Sequence, residues 1–298
     1  IFSSKNDTLA KFHQVSNLTM GSEGTHPWVQ GCPLTVPVPN GPDIPTNVSF
    51  TYNDLKYPSG TGSIELLEAI CTYYNSEYGC NITTDNICIF AGGKPAIFAT
   101  LSFLEENMKI LVEEVEYSQY WHALKVLGKE IEIIPSNEDN RFRPSFSDYQ
   151  DVANPAGITL TGDALKEIVD FASGQDRGGL FDEAYEFYHN PAESVMQHIS
   201  DIDDTNIFVT NGATKGLQVP GARIAWVIAS KSNIRICRNY SSVAMGGVSK
   251  ISQIYVTSLL KLDRVRQAKH ALCIFYNNQR LRYGEALTAM GCILYSGN

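Results

Sequence analysis

Short apolar runs alternate with amphipathic stretches along most of this chain, and that alternation limits the folds open to it. Runs such as "NICIF", "KILVE", "NIFVT" and "RIAWVIA" have the length and composition of buried strands. Between them lie helical patterns such as "GSIELLEAICTYYNSEYG", in which Ile64, Leu67, Ile70 and Tyr74 share one face and Gly79 is placed to end the helix. The alternation predicts an α/β fold, with a mainly parallel (mixed) sheet flanked by helices.

Composition divides the 298 residues into three segments. Residues 1–48 are rich in Gly, Pro, Ser, Thr and Asn, which predicts an extended N-terminal arm. Residues 49–262 carry the alternating pattern and predict one large domain, with ligands bound outside the carboxyl ends of its strands. Residues 263–298 begin with a long helical pattern, followed by a short strand-like run.

Charge and composition exclude several classes of partner. The chain has 23 basic and 32 acidic residues, a formal net charge of −9, which argues against nucleic acid or an anionic membrane as a partner. No apolar run approaches the roughly 18 residues of a membrane span, so we expect a cytoplasmic protein. Five N-x-S/T sequons leave an organelle or secreted location open; they begin at Asn6, Asn17, Asn47, Asn81 and Asn239.

Cysteine and histidine spacing argues against metal or redox chemistry. The seven cysteines form no C-x-x-C pair, which predicts reduced structural thiols. The six histidines show no H-E-x-x-H or comparable spacing, so we expect no metal site. A G-x-S-x-G run, which would indicate a serine hydrolase, does not occur.

Two basic residues stand out in "TNGATKGLQVPGARIAW". Lys215 follows a predicted strand and lies between Gly212 and Gly216, so a turn would leave its amine approachable for Schiff-base chemistry. Arg223 follows the rigid turn "PGA", from which a guanidinium can reach an anion. Taken singly, each is better explained as a surface lysine or a member of an ordinary salt bridge.

Further candidates lie at other predicted strand ends. In "FDEAYEFY", Asp182 could keep a cationic ring nitrogen protonated, and Tyr185 could reach the same ligand through its hydroxyl. Asn154, in the turn "NPAG", could add a hydrogen bond. In "AGGKPAIF", Gly93 and Lys94 lie where a strand passes into a helix, so free backbone N–H groups would face a phosphate. Each motif alone is better explained as turn chemistry or a solvated acid.

The ordered set of motifs is more specific than any member. It resembles the class I/II aminotransferases, fold-type I enzymes that depend on pyridoxal 5′-phosphate (PLP). The resemblance covers most of the chain and rests on "GCP", "YPSGTG", "GGKPAI", "EYSQYWHALKVLG", "NPAG", "DEAY" and "TKGLQVPGARIAW". Intervals match as well: 28 residues from Asn154 to Asp182, three from there to Tyr185, and eight from Lys215 to Arg223. The resemblance implies PLP as cofactor, amino acid and 2-oxo acid substrates, and a homodimer with shared active sites.

The resemblance also implies a role for each matching residue. Lys215 resembles the lysine that forms the internal aldimine and moves the proton between the substrate Cα and the cofactor. Asp182 resembles the partner of the pyridinium nitrogen, and Tyr185 and Asn154 resemble the residues that bond the phenolic oxygen. The remaining positions resemble phosphate ligands (Arg223, Gly93, Lys94), a tyrosine that reaches the partner subunit's phosphate (Tyr57), the residue stacked on the ring (Tyr117), and residues on the substrate side (Gly31, Trp28, Tyr120).

The sequence departs from the family pattern at three places. Gly212 stands where many members have a phosphate-binding serine, so Thr214 or Thr210 would have to substitute. The family usually has a further strand before "NPAG", and its loss would unpair the neighbouring strands unless the sheet is rearranged. At "CILYSGN" the chain ends where the family continues through a C-terminal small domain, whose arginine usually binds the substrate carboxylate. We interpret the last two departures as an incomplete representation, with residues 1–48 and 263–298 contributing parts of an incomplete small domain.

The leading hypothesis is an aminotransferase that moves an amino group between an amino acid and a 2-oxo acid. Because the same fold carries lyases, decarboxylases, racemases and oxidases, another PLP-dependent reaction is the first alternative. A non-catalytic structural homologue is the second, motivated by the missing segments.

Overall fold

The computed structural model describes residues 13–18, 22–23, 31, 34–114, 116–138, 140, 161–174, 176–292 and 294. Two compact units divide the chain, Ile1–Pro33 and Leu34–Asn298, and the strands and helices below belong to the second. None of the described helices combines the length and the apolar composition needed to cross a lipid bilayer.

The strands form two sheets. They are β1 (Ile87–Phe90), β2 (Ile110–Glu113), β3 (Ile131–Ile134), β4 (Gly179–Asp182), β5 (Ile207–Gly212) and β6 (Ala225–Ile228). One sheet has the order β1-β6-β5-β4, in which β4 and β5 are parallel and β6 is antiparallel to both neighbours. The other is the parallel pair β2-β3. The strands predicted from "NICIF", "KILVE", "NIFVT" and "RIAWVIA" are confirmed as β1, β2, β5 and β6, and β6 makes the larger sheet mixed. Most of the strand-like run after the long C-terminal helix lies outside the described residues.

Seven α-helices accompany the strands in the described residues. They are α1 (Ile64–Tyr78), α2 (Gly93–Ser102), α3 (Ser118–Val126), α4 (Gly162–Ala172), α5 (Lys231–Tyr240), α6 (Lys250–Leu259) and α7 (Leu262–Ala289). As predicted, α1 buries the face that carries Ile70 and Tyr74 and ends at Gly79, whose φ of 66° is the left-handed conformation that favours glycine. The long C-terminal helix is confirmed as α7.

The larger sheet is covered by apolar side chains on both faces. Alternate residues of a strand point to opposite faces, so Ile87 and Ile89 of β1 join a core cluster with residues of α1, α4, α6 and α7. Cys88 and Phe90 join a second cluster with residues of α2 and α5. Helices therefore lie on both faces of the sheet, which confirms the predicted α/β class.

The two sheets meet without strand pairing in the part of the chain that the structure describes. There β4 pairs with β5 alone, and β2 pairs with β3 alone. Leu180 of β4 and Ile131 of β3 both pack against a buried cluster that contains Val112 of β2. Residues 141–160, which include Asn154, lie outside the described residues.

Candidate functional site

Parallel pairing brings Asp182 and the Lys215 loop to one edge of the larger sheet. Asp182 is the last residue of β4 and lies opposite Thr210 of β5. Strand β5 ends at Gly212, and Lys215 follows three residues later. The carboxyl ends of parallel strands meet at the same edge, so both side chains occupy the place where open α/β sheets bind ligands.

The Asp182 carboxyl is held by two donors. The Tyr120 hydroxyl donates to its Oδ2 at 3.0 Å, and the Ala184 backbone N–H donates to its Oδ1 at 3.1 Å. Asp182 is exposed at the sheet edge, but the protein atoms around its carboxyl reduce its hydration and raise its pKa, while these two hydrogen bonds and the charge of Lys215 act in the opposite direction. A positively charged N–H donor placed against this carboxylate would relieve its loss of hydration.

Hydrogen bonds hold the backbone of Lys215 in place, and its side-chain amine lies near the ring of Tyr185. Its carbonyl oxygen accepts from the Tyr188 hydroxyl at 3.1 Å and from the Gln218 N–H at 3.1 Å. The Nζ atom lies 5.2 Å from the centroid of the Tyr185 ring, within cation–π range. The backbone is therefore anchored, while the amine lies at the sheet edge beside Tyr185.

Tyr117 lies near Asp182 as well, beside Tyr120 and Tyr185. Tyr117 precedes α3, and its ring meets that of Tyr120 edge-to-face with centroids 6.2 Å apart. Burial raises the pKa of Tyr117, and the nearby Asp182 and Tyr185 raise it further. Tyr117 and Tyr185 are each about half exposed, at 49% and 52%. Both rings can thus contact a flat ligand seated above the carboxylate.

Arg223 packs against the turn that opens α2. Its Nη1 donates to the carbonyl of Pro220 at 2.9 Å, and its Nη2 donates to that of Ala91 at 3.4 Å. A Cβ on Gly92 would lie 2.0 Å from Nη2, and Gly92 has a φ of 107°, so only glycine suits this position. The first residues of α2 are Gly93 and Lys94, whose N–H groups lie at the helix N-terminus. A guanidinium and a helix N-terminus together form an anion-binding corner.

Comparison with known proteins identifies the family. The family model described as "Aminotransferase class I and II" matches residues 51–285. The chain belongs to this family. Its members depend on PLP. The motif resemblance read from the sequence is thereby confirmed.

Relatives of this chain are named for different amino acid substrates. An aspartate aminotransferase of Pyrococcus horikoshii is 25% identical over 240 residues, which cover 75% of this chain and 61% of that protein. An aromatic-amino-acid aminotransferase of Thermococcus litoralis is 27% identical over 253 residues, covering 79% and 64%. The chain thus spans about three fifths of the length of these relatives.

Solved structures of aminotransferases share the fold. The aspartate aminotransferase of Thermus thermophilus with maleate superposes with a TM-score of 0.72 at 21% identity, covering 80% of this chain and 66% of that one. The aromatic aminotransferase of Pyrococcus horikoshii gives a TM-score of 0.71 at 23% identity, covering 79% and 68%. The fold-type I architecture is therefore confirmed for this aminotransferase family member.

Gly212, where the family pattern often has serine, is required by local packing. A Cβ at Gly212 would lie 2.8 Å from the Ile224 carbonyl oxygen and 2.9 Å from the Ala225 Cα of the adjacent strand. Of the two threonines considered as substitutes, Thr210 is buried with its hydroxyl 3.5 Å from the Phe181 carbonyl oxygen. Thr214 is half-buried beside Lys215 and is the better candidate for a phosphate ligand.

The structure does not place the remaining residues predicted from the sequence beside Asp182 or Lys215. Tyr57 is 97% exposed, in the loop after the 3-10 helix Tyr52–Leu55. Gly31 belongs to the first compact unit. Asn154 and Trp28 lie outside the described residues.

Sequence reasoning missed two acidic residues that follow Asp182 closely in the chain, Glu183 and Glu186. Glu183 accepts from the Ser194 hydroxyl and the Val195 N–H, each at 2.8 Å, and burial raises its pKa to about 7. Glu186 accepts from the hydroxyls of Tyr73 and Tyr78 and from Asn211 at 2.9 Å, and it pairs with Lys269 at 2.7 Å. The available signal was the run "FDEAYEF" itself, because carboxylates beside a buried strand need donors.

Proposed function

We propose that this chain is the cofactor-binding part of an aminotransferase that moves an amino group between an amino acid and a 2-oxo acid. The observation that carries the proposal is the placement of Lys215 and Asp182 at one sheet edge, with Arg223 and the start of α2 forming an anion-binding corner. Family membership and the PLP dependence of the family support it.

The residues present fit PLP. Arg223, the N–H groups of Gly93 and Lys94, and the Thr214 hydroxyl would hold the phosphate. Asp182, whose carboxyl is oriented by the Tyr120 hydroxyl and the Ala184 N–H, would hold the protonated ring nitrogen. Tyr117 would stack on the ring, and the hydroxyl of Tyr185 would meet the phenolic oxygen, together with Asn154.

When bound, PLP supplies an electron sink for the charge that develops on the amino acid Cα. Lys215 would hold the cofactor aldehyde through its amine and then carry the proton to and from the substrate Cα. Tyr188 and Gln218, through the Lys215 carbonyl, fix the base of this side chain while its amine moves. Asp182 would keep the ring nitrogen of bound PLP protonated, which would lower the barrier to proton removal.

A two-substrate absorbance experiment tests the reaction type. The PLP-saturated protein is mixed with aspartate, an aromatic amino acid or LL-diaminopimelate, the substrate classes in the names of its relatives. We expect one of them to abolish the cofactor's visible band and a 2-oxo acid to restore it. Release of ammonia or CO₂ without that cycle would favour a lyase, a decarboxylase or an oxidase, and an unchanging band would favour a non-catalytic homologue.

We also propose a homodimer in which Tyr57 reaches the phosphate site of the partner subunit. Support comes from an exposed apolar run on the described surface, with Tyr52 at 91% and Tyr57 at 97% exposure and Phe50 and Leu55 beside them. Light scattering should give about twice the chain mass of 32.9 kDa. Leu55→Asp should shift the protein towards the monomer, and a monomeric wild type would contradict the proposal.

Two further proposals concern domains and location. We propose an N-terminal arm at 1–48, a large domain at 49–262, and the beginning of a small domain at 263–298. A cytoplasmic location is supported by the free thiols of six cysteines in the described residues. Limited proteolysis and cell fractionation test these two proposals.

A further inference from the structure

Asn211 is a buried amide next to the last residue of β5. It is 7% exposed and lies four positions before Lys215. Its Oδ1 accepts from the N–H of Gly212 at 2.7 Å. Its Nδ2 donates to the carboxylate of Glu186 at 2.9 Å and to the hydroxyl of Tyr74 at 3.2 Å. A buried amide with both polar atoms bonded is held in one orientation.

The two acceptors of Asn211 connect it to the segment that follows β4. Glu186 is the first residue of a 3-10 helix in that segment. The Tyr74 hydroxyl donates in turn to Glu183, in a long hydrogen bond of 3.5 Å. Glu183 and Glu186 lie on either side of Tyr185 in the chain. The amide of Asn211 therefore links β5 to both flanks of Tyr185, directly at one and through a tyrosine at the other.

Tyr185 is the residue of this segment whose ring lies beside the Lys215 amine, with Nζ 5.2 Å from the ring centroid. Because Tyr185 is about half exposed, core packing covers only part of its ring. Its position therefore depends on how its backbone is held. Before Tyr185, the Glu183 N–H donates to the carbonyl of Thr210 in β5 at 2.8 Å. After it, the contact with β5 is the bond between Asn211 and Glu186.

The bond from Asn211 can be removed without leaving a buried charge unpaired. Glu186 still pairs with Lys269 at 2.7 Å and still accepts from the hydroxyls of Tyr73 and Tyr78. A variant that lacks the Asn211 amide therefore loses the link to β5 while the ion pair stays intact.

We propose that Asn211 is a positioning residue, which holds the segment around Tyr185 against β5 and so keeps the Tyr185 ring beside the Lys215 amine. The consequence for catalysis rests on the proposed function, since Lys215 would carry the proton there. The positioning itself does not rest on it.

Hydrogen exchange of the full chain tests the link without reference to activity. The amides to follow are those of Glu186 and Tyr188, which donate to the carbonyls of Glu183 and Tyr185, each at 3.0 Å. In Asn211→Ala we expect both to exchange about tenfold faster, the size of one hydrogen bond to a charged group, with the exchange of β4 unchanged. Unaltered exchange of these two amides would overturn the proposal.

Asn211→Ser separates the link from the bond to Gly212. A serine hydroxyl can still accept from the Gly212 N–H, but the side chain is too short to reach Glu186. We expect it to speed exchange at Glu186 and Tyr188 as Asn211→Ala does. Wild-type exchange in Asn211→Ser would show that the bond to Glu186 is not what holds the segment, and the proposal would be wrong.

The matched control is Asn86→Ala. Asn86 is also a buried asparagine, 2% exposed, whose Nδ2 donates to a carboxylate, that of Asp203, at 2.9 Å. It precedes β1 and so lies at the opposite edge of the sheet from Gly212. We expect it to leave exchange at Glu186 and Tyr188 unaltered. If it loosens them as much as Asn211→Ala does, the effect is a general loss of stability and the proposal fails.

Chemical labelling of the cofactor-free protein tests the position of the ring. Acetic anhydride acetylates the Lys215 amine, and peptide mass spectrometry measures the rate against the exposed Lys56 as internal reference. In Asn211→Ala we expect Lys215 to react about threefold faster, because a displaced Tyr185 ring no longer stabilises the ammonium. An unchanged rate would overturn the claim that Asn211 keeps this ring beside the amine.

Kinetics then tests the consequence for the reaction. In Asn211→Ala we expect kcat to fall about tenfold with a much smaller change in KM, because misplacement beside the reacting amine slows the chemical step. Unchanged kcat in a variant with faster labelling would overturn the role in catalysis. Absence of any turnover in the wild type would count against the proposed function, and exchange and labelling would still decide the positioning.

Discussion

Single residues determine the shape of the anion-binding corner. Gly92 has no side chain, and the guanidinium of Arg223 lies where one would be. Arg223 itself has a φ of 53°, an uncommon value for a residue with a side chain, so the turn holds it against its backbone preference. Such local strain is retained where the surrounding structure fixes it.

Gly92→Ala tests this corner. The added Cβ would displace the Arg223 guanidinium, so we expect PLP affinity to fall at least about tenfold, the size of one lost charge-assisted contact. Fluorescence or absorbance titration with PLP measures this. Gly221→Ala is the matched control, because a Cβ at Gly221 meets nothing within 4 Å. Equal affinities for the two variants would contradict the assignment of Arg223 to the phosphate.

The carboxyl of Glu183 gives a pH-dependent contribution to stability. Its pKa is about 7 in the folded protein, raised from 4.5. Between the pKa of the unfolded chain and the higher pKa of the folded protein, the carboxyl is protonated in the folded state and ionised in the unfolded state. The free energy of unfolding therefore falls as pH rises through this range. The loss amounts to about 3 kcal/mol in total. We therefore expect the wild-type free energy of unfolding to fall more steeply between pH 5 and 8 than that of Glu183→Gln. Parallel pH profiles from urea unfolding would contradict this expectation.

At the scale of elements, a buried ion pair joins α7 to the loop after β4. The Nζ of Lys269 pairs with Glu186 in the 3-10 helix Glu186–Tyr188 and lies 4.8 Å from the Tyr73 ring centroid. Tyr185 immediately precedes Glu186, so the pair holds the loop that carries the proposed cofactor contacts. Charges buried this deeply are stable only as a matched pair.

Lys269→Met should be strongly destabilising. It leaves Glu186 buried without its counter-charge, at a cost of about 3–5 kcal/mol. The double variant Glu186→Gln, Lys269→Met should recover most of this loss. Lys166→Met is the control, since the Lys166–Asp170 pair is exposed and should contribute under about 1 kcal/mol. Urea unfolding measures all three, and equal losses for the two lysine variants would contradict the role of the pair.

Individual helices and strands were predictable from the sequence because each depends on the spacing of apolar residues and glycines within one short segment. Apolar spacing and Gly79 were sufficient to place α1, and short apolar runs were sufficient to place β4 and β5. The antiparallel direction of β6 and the sheet order could not be predicted, because they depend on contacts between distant segments. For the same reason Lys215 and Asp182 were proposed from motifs, whereas the Glu186–Lys269 pair and the Gln218 contacts were missed.

At the scale of the whole molecule, the sheet edge and the anion-binding corner are the two parts of the proposed cofactor site. Asp182 and the Lys215 loop lie at the carboxyl ends of β4 and β5, and Arg223 lies against the turn between β1 and α2. The aminotransferase family relationship extends over residues 51–285, which include all three. We propose that this site holds PLP through Lys215.

Borohydride reduction of the PLP-saturated protein, followed by peptide mass spectrometry, tests that claim most directly. We expect a reduced pyridoxyl group on Lys215 in the wild type and none in Lys215→Arg, whose folding is checked by its circular dichroism spectrum. A folded, PLP-saturated wild type in which Lys215 stays unmodified, or in which other lysines are modified instead, would contradict it.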